Sequence, residues 1–435
     1  MNQPVTTEID NFSQTRAFLV TLQPPSMDEE TAQANLDELE GLTQTMGLLT
    51  IGKMIVHHRE NHAKLLLGTG KAQEVAEQAE GVGADLIVFD DDLSPTQQRN
   101  WEEFSGKTVI DRQEVILEIF SQRALSREAV LQVGLARMEY SLPRLTRSYT
   151  DLSRQRGGAR NNRGGGEMKL ELDRRVILKK IDQFKEELIQ VRRHRDRTRR
   201  LRTEAILPQA SIVGYTNAGK STLLNVLADE KLLQEDKLFA TLDPTTRRVS
   251  LSGGLSLLLT DTVGFIQKLP HHLVDAFRST LEEAVHADFL IHVVDVSHPQ
   301  AEEQYALTNK VLSDLGAAEK TQVLVLNKVD RLPADAPARR SWELSHPGAI
   351  FVSLENRQGL EELKAAVARQ TLSLSPPQDF IFPLERPDLC AYLRRNAQVL
   401  NEVYADDHVE VRAVVVEAWL DAVRPWLVNK TKEVL

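Results

Sequence analysis

The chain has only one cysteine, Cys390, among its 435 residues, which excludes a disulfide framework and a metal site built from cysteines. Long apolar runs are also missing: no stretch of about 18 apolar residues occurs, so the sequence predicts no integral membrane segment. The segment Met1–Asp10 has neither a basic start nor an apolar core, which argues against a secretory signal. We therefore expect a cytoplasmic protein.

The length predicts about three globular domains, and strand-like and helix-like stretches divide the chain further. Alternation of strand-like and helix-like stretches predicts an α/β fold with a parallel sheet in two of the segments given next, residues 1–123 and 204–372. The four expected segments are an N-terminal α/β domain (1–123), a helical hairpin (124–203), a second α/β domain (204–372) and a small C-terminal α/β domain (373–435).

Within the N-terminal segment, five short apolar runs read as strands. They are Ala17–Leu22, Thr50–His57, Lys64–Leu67, Leu86–Asp90 and Thr108–Ile110. The residues Gly68–Lys71 could be a second phosphate-binding loop, but they lack the four-residue spacer and the Ser/Thr, so a tight turn into a helix is favoured. In the C-terminal segment we expect a helix over Pro387–Leu400 between two strands.

Positive charge is concentrated in one stretch of an otherwise acidic chain. Residues 144–202 contain 19 Lys plus Arg against 8 Asp plus Glu, whereas the whole chain has a net charge of −10. Apolar residues at heptad spacing on either side of a glycine- and arginine-rich run, residues 154–166, predict an antiparallel helical hairpin with a mobile cationic tip.

This charge favours a polyphosphate partner, and RNA over DNA because no recognition-helix or zinc-finger motif occurs. An acidic protein is the alternative partner. The candidate RNA-binding residues are Arg154, Arg156, Arg160, Arg163, Arg192 and Arg193.

The most informative stretch, residues 214–221, lies between an apolar run and a helix-like stretch. A triphosphate requires a concave row of backbone N–H groups, a helix N-terminus and no obstructing side chains, and glycines at the two ends allow this approach. We expect Lys220 to neutralise the outer phosphates and Ser221 to bind Mg²⁺. The loop residues are Gly214, Tyr215, Thr216, Asn217, Ala218, Gly219, Lys220 and Ser221.

Two further motifs follow apolar runs, and a threonine-containing segment lies between them and the phosphate loop. Asp330 of Asn327-Lys328-Val329-Asp330 can accept from the ring N–H and amine of guanine, which favours GTP over ATP, and Asn327 should brace the phosphate loop. In Asp261-Thr262-Val263-Gly264, the carboxylate should act on Mg²⁺ through water and the glycine N–H should meet the γ-phosphate. Thr241 is the expected switch threonine, with Thr245 and Thr246 as rivals.

Phe265 stands where many GTPases place a glutamine that orients the attacking water. An apolar ring cannot do this, so we expect slow hydrolysis that a partner accelerates. Asn217 resembles the loop asparagine of GTPases that bind potassium beside the phosphates, so K⁺ is a candidate second ion.

These motifs together closely resemble the HflX family of ribosome-associated GTPases within the Obg–HflX superfamily, over nearly the whole chain. The resemblance implies that Thr241 binds Mg²⁺ and that the GTP site includes Phe239, Ala240, Thr241, Leu242 and Asp243. It also implies a closing motif at Ser353-Leu354-Glu355, where the family usually has Ser-Ala-Lys. Lys220, Thr241 and Gly264 are then the residues expected to act in hydrolysis.

The resemblance further implies binding to the large ribosomal subunit and its rRNA in the GTP state, and dissociation of stalled or stressed ribosomes, with hydrolysis releasing a monomeric protein. The alternative is a nucleotide-gated ribosome-assembly or RNA-binding module with little turnover.

Overall fold

The computed structural model describes residues 15–60, 62–145, 163–203, 207–229, 238–239, 242–251, 254–268, 282–333, 336–415 and 417–428. Within these ranges, the side chains of residues 163–170, 192, 194–203 and 417–418 are not described. Contacts divide the chain into two compact units. The first contains the described residues up to Gln190 together with Leu238 and Phe239, and the second contains the others.

The first unit is built on a four-stranded parallel sheet with the strand order β2-β1-β3-β4. The strands are β1 (Arg16–Gln23), β2 (Leu49–His57), β3 (Leu86–Phe89) and β4 (Thr108–Asp111). The helices are α1 (Glu29–Met46), α2 (Thr69–Gly81), α3 (Pro95–Ser105) and α4 (Arg112–Arg123). The predicted α/β class with a parallel sheet is confirmed for this segment.

The strand expected over Lys64–Leu67 is wrong. These residues form a turn closed by a bridge between His62 and Leu66, and Leu66 has a positive φ of 62°. Leu65, Leu66 and Leu67 are nevertheless buried in the core with the side chains of α2 and α3. A short apolar run indicates that its residues are buried but does not determine their backbone conformation, which explains the wrong strand prediction. Gly68 is the N-cap residue of α2, so the favoured prediction of a tight turn into a helix is confirmed at this position.

A buried ionic corner lies where β3 and β4 end. Arg112 donates 2.7 Å to Asp90, and it also pairs with Glu38. Asp111 accepts from Leu93 N–H, Glu114 N–H and the Tyr140 hydroxyl. Burial raises the pKa of the Asp111 carboxyl. Buried charges are retained when they are paired in this way. The Tyr140 hydroxyl also links the helix that follows α4 to Asp111 at the end of the sheet.

That helix, α5 (Arg127–Ser141), leads into Arg144, the first cation of the basic stretch. The Arg144 guanidinium donates to Gln98 Oε1 at 3.0 Å and to Leu93 O at 2.7 Å, and lies 3.6 Å from the Tyr140 ring centroid. Arg144 is therefore a structural residue of the first unit, although it is counted among the cations of the basic stretch.

The second arm helix, α6 (Arg163–Thr203), has 41 residues. Ile181 and Leu188 of its expected seam are buried, and the Phe184 ring packs against Gly134 of α5. The helix begins inside the run predicted to be a loop, so residues 163–166 are helical. Glycine costs about 1 kcal/mol in a helix, which a long helix that is already nucleated can accommodate. The antiparallel hairpin stays a prediction, because residues 146–162 lie outside the described ranges.

The second unit contains a six-stranded sheet with the order β10-β9-β8-β5-β7-β6. Neighbouring strands are parallel, except that the edge strand β6 is antiparallel to β7. The strands are β5 (Gln209–Gly214), β6 (Thr245–Ser250), β7 (Ser256–Asp261), β8 (Phe289–Asp295), β9 (Gln322–Asn327) and β10 (Ile350–Phe351). The helices are α7 (Lys220–Ala228), α8 (Ala301–Asp314), α9 (Pro337–Ser345) and α10 (Leu360–Leu374).

Acid is expected to destabilise this sheet domain through His292 of β8. The ring is fully buried, it stacks on Tyr305, and burial lowers its pKa to about 4. The unfolded chain takes the proton near pH 6.5, so stability is complete above that pH and is lost as the pH falls toward 4. We expect a loss of about 2 kcal/mol in unfolding free energy between pH 7.5 and pH 5.

Urea unfolding followed by far-ultraviolet circular dichroism at several pH values measures this loss. His292→Phe should flatten the pH dependence, whereas His408→Gln, at a histidine whose pKa is raised by Asp407 and Glu410 on the C-terminal sheet, should leave the His292 contribution in place. An equal pH dependence in wild type and His292→Phe would contradict the assignment.

The C-terminal segment forms a three-stranded antiparallel sheet with the order β11-β13-β12. The elements are β11 (Gln378–Pro383), α11 (Pro387–Asn396), β12 (Ala397–Tyr404), β13 (His408–Val415) and the single turn α12 (Glu417–Leu420). The helix expected over Pro387–Leu400 is therefore too long. These last residues instead pair with β13 as the strand β12, and Gln398 of that strand accepts the Ser256 N–H of β7 at 2.7 Å.

Candidate functional site

The phosphate loop connects β5 to α7 at the carboxyl edge of the six-stranded sheet. Gly214 has a φ of 146°, and a β-carbon there would lie 2.2 Å from the Val293 carbonyl oxygen. Gly219 has a φ of 102° and begins α7, and a β-carbon there would lie 2.3 Å from Asn327 Nδ2. Only glycine fits these positions, so the loop conformation is dictated locally by the sequence.

Lys220 lies inside this loop with 7% of its surface exposed. Its Nζ donates 2.7 Å to the Tyr215 carbonyl oxygen, and burial lowers its pKa to about 8. A buried ammonium with one neutral acceptor gains most from an anion. The site therefore has a cation placed to bind phosphate oxygens.

Two oxygen ligands suited to Mg²⁺ are next to each other. Ser221 Oγ donates 2.6 Å to Asp261 Oδ2, at the start of α7 and the end of β7. Hydroxyl and carboxylate oxygens are the donors that this hard cation prefers. The residues present thus fit a magnesium ion held by Ser221, with Asp261 acting beside it.

The expected guanine motif is joined to the phosphate loop. Asn327 Nδ2 donates 2.8 Å to the Ala218 carbonyl oxygen, as its expected bracing role requires. Lys328 has a φ of 64° and pairs with Asp295 at 2.7 Å, and Val329 is buried. Asp330 follows in a short 3-10 turn with an exposed carboxylate, which leaves that group accessible to a base.

The closing segment contacts the same asparagine. Leu354 N–H donates 3.3 Å to Asn327 Oδ1, and the buried Ser353 Oγ accepts the Asn356 N–H at 3.1 Å. Glu355 is exposed. The structure therefore joins Leu354 to the guanine motif through its backbone N–H, whereas the Ser353 hydroxyl accepts a bond within its own turn, and neither bond requires the usual Ser-Ala-Lys.

The Asp261–Gly264 turn lies against the phosphate loop. Thr262 Oγ1 donates 2.6 Å to the Ile212 carbonyl oxygen, so this hydroxyl is structural. Val263 is buried, and a β-carbon on Gly264 would lie 2.8 Å from Lys220 Nζ. Phe265 is buried with 3% exposure, so its ring occupies the interior and presents no polar group to water.

The segment with the expected switch threonine is described only in part. Ala240 and Thr241 lie outside the described residues, while Leu242 is buried and Asp243 is half-buried. The Phe239 ring packs edge-to-face on Phe120 of the first unit, with centroids 4.6 Å apart. Its place in the GTP site stays a prediction.

The two rival threonines are in strand β6. Thr246 Oγ1 lies 2.9 Å from Thr260 Oγ1, and Thr245 is paired with Asp261 in the β6–β7 ladder. Residues within a strand pair move less easily than residues outside one, so Thr245 and Thr246 are poor candidates for a switch, and Thr241 stays a prediction.

Of the candidate RNA-binding arginines, Arg154, Arg156 and Arg160 lie outside the described residues. Arg163 is the first residue of α6, whereas Arg193 is exposed near its end, and the side chain of Arg192 is not described. Four exposed cations of α6 were not singled out from sequence, although their positions on a solvated helix face could have been. They are Arg174, Arg175, Lys179 and Lys180.

Among the described residues, no helix is long and apolar enough to cross a membrane.

Known protein families and a solved structure are similar to this chain. Three family models match: the N-terminal domain of GTP-binding GTPases over residues 33–121, their middle region over 123–202, and the 50S ribosome-binding GTPase family over 209–328. A solved GTP-binding protein from Sulfolobus solfataricus, in complex with GDP, is 23% identical with a TM-score of 0.45, over 83% of this chain and 100% of its own.

Full-length relatives are more similar. A GTPase HflX from Akkermansia muciniphila is 44% identical, over 95% of this chain and 97% of its own. A GTPase HflX from Lacrimispora saccharolytica is 42% identical, over 94% of this chain and 96% of its own. The resemblance carried by the motifs is thereby confirmed: the chain belongs to the HflX family of GTPases and is a P-loop enzyme that hydrolyses GTP.

Proposed function

We propose that this GTPase binds the large ribosomal subunit in its GTP state, dissociates or rescues stalled ribosomes, and is released when GTP is hydrolysed. The family model over residues 209–328 is described as a 50S ribosome-binding GTPase, and this supports the choice of particle. Dissociation of stressed ribosomes follows from the family resemblance. We therefore also propose that the protein acts in the cytoplasm, where the ribosomes are.

The observation that carries the proposal is the charge of α6. This single helix contains 14 Lys plus Arg against 7 Asp plus Glu, in a chain with a net charge of −10. The excess of positive charge lies mainly in residues 192–202, and the exposed Arg174, Arg175, Lys179 and Lys180 are interspersed with the exposed carboxylates Glu171 and Asp182. Structured RNA is recognised through such backbone contacts, so rRNA is the partner that this arm suits best.

The site's own residues account for a slow, switchable hydrolysis. Lys220 and the loop N–H groups bind and orient the phosphates, and Ser221 and Asp261 would hold Mg²⁺, which neutralises phosphate charge when bound. Ordering of Thr241 and Gly264 by the γ-phosphate is the proposed switch. Because Phe265 cannot orient water, the particle supplies the missing order. K⁺ beside the exposed Asn217 is a further proposed ion.

The second candidate is a nucleotide-gated assembly or RNA-binding module with little turnover, which the buried Phe265 favours. Steady-state GTP hydrolysis with and without purified large subunits separates the two. The leading proposal expects an increase of at least tenfold with large subunits and a smaller effect of small subunits. An unchanged, negligible rate would favour the binding module.

The tip of the arm can be tested directly. The double substitution Arg160→Gln and Arg163→Gln should weaken binding to large subunits about tenfold and reduce the slope of affinity against salt by about two charges. GTP affinity should stay unchanged. Pelleting at several salt concentrations measures both, with the exposed pair Arg340→Gln and Arg369→Gln as a control of equal charge. Unaltered binding in the tip variant would remove the tip from the mechanism.

A further inference from the structure

The segment that follows Gly264 is hydrogen-bonded to the phosphate loop like an added strand. Thr216 N–H donates 2.7 Å to the Phe265 carbonyl oxygen, and Phe265 N–H donates 3.1 Å to the Gly214 carbonyl oxygen. The bridge between Tyr215 and Phe265 is parallel, as are the pairings of β5 with β7 and β8. The segment that follows Gly264, residues 265–268, is therefore attached to the phosphate loop as a parallel strand would be, and it is called the switch segment below.

One side chain strengthens that attachment. The Tyr215 ring is 5% exposed, and its hydroxyl accepts the Gln267 N–H at 2.7 Å. The backbone carbonyl of the same residue accepts from Lys220 Nζ at 2.7 Å. Tyr215 thus contacts both the phosphate-binding cation and the segment beyond Gly264.

The attachment fixes Gly264 in a confined place. A β-carbon on this glycine would lie 2.8 Å from Lys220 Nζ and 2.8 Å from Thr216 Cα. Gly264 therefore lies beside the ammonium that meets the outer phosphates, with the Gln267–Tyr215 bond three residues further along. The Gln267–Tyr215 bond therefore adds a side-chain attachment to the backbone pairs at Phe265.

We propose that Tyr215 is a positioning residue for GTP hydrolysis: its hydroxyl holds the switch segment so that Gly264 stays where the γ-phosphate arrives. Groups held in place before the substrate binds spend less binding energy on ordering. GDP lacks the γ-phosphate and gains nothing from Gly264. The hydroxyl therefore contributes to the preference for triphosphate over diphosphate and to kcat, and not to nucleotide binding in general.

The test is Tyr215→Phe in the full-length protein, which keeps the ring and removes only the hydroxyl. We expect kcat to fall about fivefold to tenfold, the size of one hydrogen bond. The affinity for a nonhydrolysable GTP analogue should fall by a similar factor, and GDP affinity should change less than twofold. Tyr305→Phe is the matched control, because that tyrosine is in the same domain and contacts His292 by stacking.

Both measurements are made without ribosomal particles, so their outcome does not depend on the ribosome proposal. Equal weakening of GDP and analogue binding would make the hydroxyl a merely structural group and overturn the inference. Unchanged kinetics, or faster hydrolysis from a segment released by the substitution, would overturn it as well.

Discussion

Replacing Asp330 with asparagine is expected to lower the affinity for GTP about a thousandfold. We propose that the exposed Asp330 carboxylate accepts two hydrogen bonds from guanine, whereas the amide of asparagine would present a donor where an acceptor is required. Each bond to a charged group is worth about 1.5–3 kcal/mol, and about 4 kcal/mol corresponds to a thousandfold change in Kd. Titration with a fluorescent guanine nucleotide measures the loss.

Xanthine nucleotides provide the sharpest control, because their ring carries a carbonyl where guanine carries the amine. Asp330→Asn should bind xanthosine diphosphate better than the wild type does. Asp314→Asn, at an exposed carboxylate in the same domain, should leave GDP binding unaltered. Retained guanine affinity in Asp330→Asn would place the base elsewhere.

Substituting Gly219 with alanine should strongly impair nucleotide binding. The added carbon would lie 2.3 Å from Asn327 Nδ2, so the bond from Asn327 to Ala218 must break or the loop must move. A positive φ adds strain of about 1–3 kcal/mol. We expect nucleotide affinity to fall at least a hundredfold, together with a loss of about 3 kcal/mol in unfolding free energy.

Gly316→Ala separates strain from crowding. Gly316 also has a positive φ, 81°, but a β-carbon there meets nothing within 4 Å. It should cost about 1–2 kcal/mol in urea unfolding and leave GDP affinity unchanged. Equal stability and equal GDP affinity for the two variants would mean that the loop does not require a bare backbone at Gly219.

The nucleotide site could be predicted from sequence because its geometry is local. Positions 214 and 219 require glycine because both have a positive φ and both lie against neighbouring atoms. The two glycines therefore occur at a fixed spacing that can be recognised in the sequence. Asn327 follows a strand end, where an open parallel sheet gathers its ligand groups. Its contact with Ala218, 109 positions earlier in the chain, was therefore expected.

Features set by tertiary packing could not be predicted in the same way. β12 continues α11 in sequence, and it becomes a strand because it pairs with β13. Leu65, Leu66 and Leu67 are buried as a strand would be, but in a turn. Arg144 counts as one charge of a basic stretch until its contacts with Gln98, Leu93 and Tyr140 are known.

The hydroxyl of Tyr215 illustrates the same limit at the site itself. The loop motif locates the residue beside the phosphates, but neither the motif nor its spacing indicates that the side chain accepts a bond from Gln267. Such a contact depends on how residues 265–268 pack against the phosphate loop in the folded protein. Sequence therefore identifies the chemistry, and the structure adds which residues hold it in place.

We propose that the bound nucleotide controls whether the basic arm binds the ribosome. Co-sedimentation of the full-length protein with purified large subunits, after loading with GDP or with a nonhydrolysable GTP analogue, measures this control. We predict at least tenfold tighter binding with the analogue. Equal affinity in the two states would show that the nucleotide does not control ribosome binding.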